Sequence, residues 1–320
     1  MQFLGIHHVS ALTASAKRNY HFYTEILGMR LVKKSVNQDS PDMYHLFYAD
    51  EMGRPGTDLT FFEMLGVGQT YRGNNSISLT GLRVRDDEAL RYWVERFEHY
   101  QVKYQGLTEQ LGRQVIFFED PEGQRLMLVS DQNNQGVAAG IPWDKSPVPQ
   151  KYGITGLGPI RLTIPELAPS EGVLTRVMGF RHVGRYPAYQ EGQADVEVYQ
   201  TGQGGTGAEV HLEVRNDLSK EKPGRGSVHH VAFRVKDEQQ LKQWYERIKE
   251  ERMPNSGLID RYYFKSLYFR EPNGILYELA TDEPGFTTDE PVESLGESLA
   301  LPPFLEEKRS AIEAQLTPIK

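Results

Sequence analysis

Two histidine doublets, His7-His8 and His229-His230, stand out as the residues best suited to hold a metal ion. Each sits in an alternating apolar segment that reads as a strand. Neighbours on a strand point to opposite faces, so one histidine of each pair is expected to face a shared site. An acid completes the set. The run Ile275-Leu276-Tyr277-Glu278-Leu279 puts Glu278 inside an apolar strand, where a carboxylate is costly unless it is paired or bound to a cation. His8, His230 and Glu278 would form a two-histidine, one-carboxylate set. Such a set leaves coordination positions open and suits non-haem Fe(II), with Mn(II) as a substitute and zinc less favoured. The chain has no cysteine. Thiolate nucleophiles, disulfides, Fe–S clusters and thiolate zinc sites are therefore excluded.

What must position these residues is a duplication. One constant shift lays Ile77–Val84 over Val228–Val235, Trp93 over Trp244, and Asp120-Pro121-Glu122-Gly123 over Glu271-Pro272-Asn273-Gly274. The same shift lays Gly5 over Gly156 and Leu27-Gly28 over Met178-Gly179. Each copy holds two units that read strand, amphipathic helix, then three short strands. Glu238 to Glu250, for example, spaces Leu241, Trp244, Tyr245 and Ile248 as one helical face. The fold expected is α+β, with four βαβββ modules at about 4–66, 74–132, 153–216 and 226–282. The first repeat covers 1–140, a proline-stiffened linker 141–150, the second repeat 151–284, and a tail 285–320 with one short helix from Leu305 to Leu316.

The ligand positions are not kept in every module. His230 corresponds to Leu79 in module two, Glu278 to Met127, and His8 to Pro159 in module three. These losses are complementary. Modules one and four are expected to join around a live site, and two and three around a dead one.

Composition narrows the partners. The formal charge is −8 with a pI near 5.7, which argues against nucleic acid as a partner. No run approaches the ~20 apolar residues of a membrane span. The opening residues lack the basic-then-apolar pattern of a secretory signal, so a cytoplasmic protein is expected.

With these residues in hand, the chain resembles the vicinal-oxygen-chelate superfamily of glyoxalases, ring-cleaving dioxygenases and resistance proteins. The nearer resemblance is to bacterial ring-cleaving dioxygenases of hydroquinones and catechols. It rests on Val36-Asn37-Gln38-Asp39, Tyr44-His45-Leu46-Phe47-Tyr48, Pro55-Gly56-Thr57, Asp260–Arg270 and Leu301-Pro302-Pro303-Phe304. It implies Fe(II) on His8, His230 and Glu278, supporting roles for His7, Ser10, His229, Arg261 and Tyr268, and a small aromatic substrate with O₂. Tyr268 and Arg261 correspond to Phe117 and Gln110 in the dead copy, so their polar groups survive only beside the live site. The linker and tail helix would serve a homodimer contact. Two rivals remain open at this level. Glu63 holds the slot in module one that resembles Glu278, and as a fourth ligand it would favour glyoxalase-like isomerase or lyase chemistry. A non-catalytic protein that sequesters an aromatic toxin is the other.

Overall fold

The structure is a computed structural model and describes residues 1–319. Module one holds β1 (Ile6–Thr13), α1 (Ala16–Tyr20), β2 (Arg30–Asn37), β3 (Ser40–Ala49) and β4 (Asp58–Glu63). Module two holds β5 (Ser76–Val84), α2 (Asp87–His99), β6 (Thr108–Gln110), β7 (Arg113–Glu119) and β8 (Arg125–Ser130). Module three holds β9 (Ile154–Ile164), α3 (Leu167–Gly172), β10 (Arg181–Tyr186), β11 (Val196–Gln200) and β12 (Glu209–Val214). Module four holds β13 (Val228–Val235), α4 (Glu238–Glu250), β14 (Asn255–Asp260), β15 (Phe264–Arg270) and β16 (Leu276–Pro284).

The helices follow local chemistry. Asp86 caps α2 through the Ala89 amide and Asp237 caps α4 through the Gln240 amide, at corresponding positions of the two copies. Leu90, Trp93 and Phe97 of α2 are buried, as are Leu241, Trp244 and Ile248 of α4. In modules one and three the helix is shorter than a full amphipathic element. After Tyr20 and Gly172 the chain widens into i→i+5 turns, closed by Leu27 N–H to Phe22 O and Met178 N–H to Val173 O. Gly28 and Gly179 then take positive φ, +67° and +73°, and end these segments.

The sixteen strands form two curled eight-stranded sheets. The first runs β14-β15-β16-β13-β1-β4-β3-β2, and the second β10-β11-β12-β9-β5-β8-β7-β6. Each sheet therefore takes one module from each half of the chain. Module four joins module one through the antiparallel pair β13–β1, and module three joins module two through β9–β5. The chain changes sheet twice, and the two crossings lie side by side. Tyr71 and Lys222 exchange backbone hydrogen bonds at 3.0 Å each.

The second sheet has adapted to Pro159. A Cβ on Gly81 would lie 2.7 Å from both the backbone nitrogen and the oxygen of Pro159. Gly81→Ala is expected to push β5 from β9 and destabilise the protein by about 1–3 kcal/mol, the usual cost of overpacking. Chemical denaturation would measure it, and metal content should stay at the wild-type value.

The tail differs from the single helix expected. Two short helices, α5 (Pro303–Glu306) and α6 (Arg309–Glu313), are separated by a turn in which Lys308 N–H bonds Leu305 O. Turning the chain there lets Leu301, Leu305 and Ile312 pack together against Val36 of β2. Before them, residues 285–300 lie along the edge of the first sheet, fixed by the buried Lys33. Its ammonium donates to Phe286 O at 3.1 Å, to Asp289 at 2.7 Å and to Glu290. Among the described residues no helix is long and apolar enough to cross a membrane.

Candidate metal centre

The β1–β13 junction brings the two histidine doublets together from opposite ends of the chain. His8 lies opposite Ala232, and Ser10 opposite His230. Glu278 enters from β16, which runs parallel to β13 and places it beside Ala232. His8 Nε2 and His230 Nε2 are 3.2 Å apart. Glu278 Oε2 lies 3.0 Å from His8 Nε2 and 2.8 Å from His230 Nε2. All three residues are buried, Glu278 completely.

The hydrogen-bond pattern leaves these atoms able to act as ligands. His7 Nε2 is 3.1 Å from the Thr281 carbonyl, which can only accept, so that nitrogen carries the proton. Burial, reinforced by His8, pushes the His7 ring well below the ordinary histidine range and keeps it neutral. Its Nδ1 is then an acceptor for His8 Nδ1–H at 2.9 Å. His8 Nε2 is left with its lone pair facing Glu278. The second doublet repeats the ring-to-ring contact, with His229 Nδ1 and His230 Nδ1 at 2.7 Å. Burial, with help from His230 and Arg270, pushes His229 down to about 3. Burial lowers the His230 ring too, and Glu278 offsets only part of that. Burial also opposes the charge on Glu278, but positive charge on the His8 and His230 rings outweighs it and holds the carboxyl well below the usual carboxylate range, a part that a bound cation would take over.

Such a cluster fits a divalent cation. Two imidazole lone pairs and a carboxylate oxygen converge, and Glu278 Oε2 is buried without a hydrogen-bond partner. Together these residues form the metal-capable group found among the described residues. The three separations, 2.8, 3.0 and 3.2 Å, are short enough for one cation to reach all three donor atoms. The other Glu278 oxygen accepts from Ser266 Oγ at 2.5 Å. Removing that donor in Ser266→Ala should lower metal affinity about 10–100-fold, as for other residues that orient a ligand. Equilibrium dialysis with Mn(II) would read this directly.

A cavity of about 460 Å³ opens over the cluster, within the range of small-molecule sites. His45, Phe47, Phe62 and Phe264 supply aromatic walls. Tyr268, directly across the sheet from Glu278, sets its ring edge-on to His230 at 5.7 Å. Burial and Glu278 push the Tyr268 phenol up, so it stays protonated despite the opposing Arg261. Arg261 donates to the Tyr268 oxygen at 3.3 Å and pairs with Asp39 at 3.0 Å. Gln38 donates to the Arg261 carbonyl at 2.8 Å, so the β2–β3 turn and module four meet over the cavity. Ser10 is not free: its hydroxyl and that of Thr60 lie 2.7 Å apart, and Thr60 in turn lies 3.0 Å from His45 Nε2.

Each residue marked from the sequence, namely His7, His8, Ser10, His229, His230, Arg261, Tyr268 and Glu278, lies at or directly beside this cavity. Glu63 does not. Its carboxylate accepts from the Ala16 amide at 2.6 Å, at the start of α1. Strand register explains the difference: Glu63 pairs with Thr13, and the residue opposite Ser10 is Thr60. In module four the residue two places after His230 is Ala232, and it pairs with Glu278. Thr60, not Glu63, therefore occupies the slot equivalent to Glu278. Strand alternation alone also separates His7 from His8, yet their rings touch. A bulge falls at His7 in β1, and a second at His229 in β13. Sequence reasoning missed His45, Thr60 and Ser266. The alternation of β3 puts His45 on the face of Phe47, opposite Tyr44, Leu46 and Tyr48, and that signal would have found it.

A family model for the glyoxalase/bleomycin resistance protein/dioxygenase superfamily matches residues 5–128 and again 156–279. The chain belongs to this superfamily. The two matched segments start and end at the same offset as the internal repeat. MhqA of Bacillus subtilis (strain 168), named as a ring-cleaving dioxygenase, is 52% identical over 320 residues, covering 100% of both chains. Chlorohydroquinone/hydroquinone 1,2-dioxygenase of Sphingobium indicum is 30% identical over 315 residues, covering 94% of this chain and 92% of that protein. The crystal structure of a B. subtilis protein described as a dioxygenase superposes with a TM-score of 0.89 at 34% identity, covering 100% of this chain and 98% of that one. Maize glyoxalase I shares the fold at a TM-score of 0.63 and 15% identity, covering 87% of this chain and 92% of that one.

Proposed function

We propose that the protein is an Fe(II)-dependent dioxygenase that opens the ring of a hydroquinone or catechol. The observation that carries this reading is the His8–His230–Glu278 cluster facing an aromatic-walled cavity. The ring-cleaving names of its relatives point the same way. When bound, iron supplies the one-electron chemistry that lets O₂ react with a closed-shell ring. His8, His230 and Glu278 would hold the metal, and the cavity beside them has room for a small aromatic substrate.

The rest falls to the chain's own residues. His45, Phe47, Phe62 and Phe264 hold the ring and exclude water. Tyr268, protonated and steadied by Arg261, is placed to donate a hydrogen bond to negative charge developing on a substrate oxygen. A para-diol can offer only one oxygen to a metal, so this donor would fix its orientation. His45 lies against Phe47 and Phe62. Burial, with His8 and His230 adding to it, keeps the His45 ring neutral, as an acceptor for a substrate proton at the end of the Ser10–Thr60 chain. His7 and His229 hold the two ligands in their metal-binding tautomers and need not touch substrate. The overall step breaks the ring bond beside a hydroxyl-bearing carbon and adds both oxygen atoms, leaving a carboxylate at one new end.

The position of Glu63 supports this reading over an isomerase, because its carboxylate is held by the Ala16 amide rather than placed as a fourth ligand. Zero cysteines fit as well: thiolates add to the quinones formed from such substrates, and this chain has none. The test is oxygen uptake by anaerobically metal-loaded protein with methylhydroquinone, hydroquinone and catechol. Uptake with Fe(II) and none with Zn(II) is expected. Turnover that needs no O₂ would support the isomerase. Stoichiometric binding without turnover would leave a sequestering protein.

A further inference from the structure

The second sheet has a cavity of its own, of about 610 Å³, in the place that corresponds to the metal centre. Leu79 and Met127 stand there for His230 and Glu278, and pack with Phe117. Arg161 follows Pro159 by two residues, as Ser10 follows His8. It pairs across the sheet with His211 and Leu79, where Ser10 pairs with Thr60 and His230. A guanidinium with a permanent positive charge therefore grows from the floor on which the first sheet gathers its metal ligands.

That charge is poorly matched within the protein. Arg161 is only 8% exposed, and its Nη1 is buried with no hydrogen-bond partner. Its Nε donates to Ser78 Oγ at 3.4 Å and lies 3.7 Å from Glu213 Oε2, an oxygen that already accepts from Thr163 at 2.7 Å. Arg125 lines the same cavity, and Glu221 and Glu213 offset only part of the cost of placing its charge there. Burial, together with Arg161 and Arg72, pushes the Arg125 guanidinium down to about 10. The remaining cations of the cavity are engaged: Arg72 and Lys103 with Glu119 at 3.0 and 2.9 Å, and Arg215 with Asp217 at 2.8 Å. Leaving the buried Arg161 donor unmatched is costly, and an anion would remove that cost.

Apolar groups share the cavity with the arginines. Phe117 is flanked edge-on by Tyr189 at 5.3 Å, with Leu79 beside it. We propose that this cavity binds a small organic carboxylate with a flat, unsaturated or aromatic body, its carboxylate on Arg161 and Arg125 and its body on Phe117. The planar fork of a guanidinium suits a carboxylate, and the apolar wall suits its body better than it suits a bare inorganic anion. A ring-opened aromatic acid belongs to this class. That last link rests on the function proposed above; the binding site itself does not.

The test is calorimetric titration of the full-length protein with benzoate, cis,cis-muconate, benzyl alcohol and inorganic phosphate. Saturable binding of the two carboxylates is expected, with little or none for the alcohol and phosphate. Arg161→Gln and, separately, Arg125→Gln should each weaken it about tenfold or more, as loss of a charge-assisted hydrogen bond would. His230→Ala should leave it unchanged. Binding that survives both arginine substitutions, binding lost in His230→Ala, phosphate bound as tightly as benzoate, or no carboxylate binding at all would each overturn the proposal. The His230→Ala arm separates this site from the metal centre, so failure here leaves the metal-centre reading standing.

Discussion

His230→Ala should abolish tight metal binding and reduce oxygen uptake to background. His230 Nε2 is one corner of a triangle whose other corners, His8 and Glu278, lie 3.2 and 2.8 Å away. No other histidine or acid among the described residues joins that metal-capable group, so nothing else can take the corner. The loss should exceed the roughly 10–100-fold cost of removing a residue that only orients a ligand. His229→Ala is the matched control. It keeps all three ligands and removes only the partner of His230 Nδ1, so its effect should fall inside that range. Metal content after dialysis, measured beside oxygen uptake, distinguishes the two. Equal metal loss in both variants would mean that the doublets do not divide the work between ligand and support.

The second large effect is expected on stability. Lys33 is completely buried, and its ammonium sits between Asp289 and Glu290, 4.8 Å from the centre of the Tyr263 ring. Tyr263 in turn donates to Asp289 at 2.7 Å. Removing one side of a buried ion pair leaves the other uncompensated and costs about 3–5 kcal/mol. In Lys33→Met the two carboxylates can escape to water only if residues 285–300 leave the sheet edge. The expected result is a lowered denaturation midpoint together with new protease cleavage confined to that segment. Phe264 and Tyr263, which line the cavity, should lose support, and substrate affinity should weaken while bound metal persists. Unchanged proteolysis would show that the segment does not depend on Lys33.

Much of this architecture was legible in the sequence because duplication left two versions to compare. A single shift located the modules. The substitutions Leu79, Met127 and Pro159 then indicated which modules meet at the surviving centre. His8, His230 and Glu278 were readable because an acid and histidines in apolar strands need a reason to be there. What the sequence hid was register. Whether Glu63 or Thr60 faces the His8–His230–Glu278 cluster depends on which residue each pairs with on β1, and no local pattern states that. The bulges at His7 and His229 were hidden for the same reason: an extra residue in one strand is defined only against its partner. Ser266 and Thr60 are ordinary strand residues until the sheet brings Glu278 and Ser10 beside them. The tail was misread because helix propensity ran on through Lys308, whereas packing on Val36 required the chain to turn there.

The central claim is that the cluster on β1, β13 and β16 carries out ring opening with O₂, and isotope labelling tests it most directly. Iron-loaded protein would be given hydroquinone under ¹⁸O₂, with the product trapped quickly and examined by mass spectrometry. The account predicts a ring-opened acid carrying two labelled oxygen atoms from one O₂ molecule, and no such product from His230→Ala. An oxidised but intact ring without label, or an isomerised product formed equally well without O₂, would contradict it.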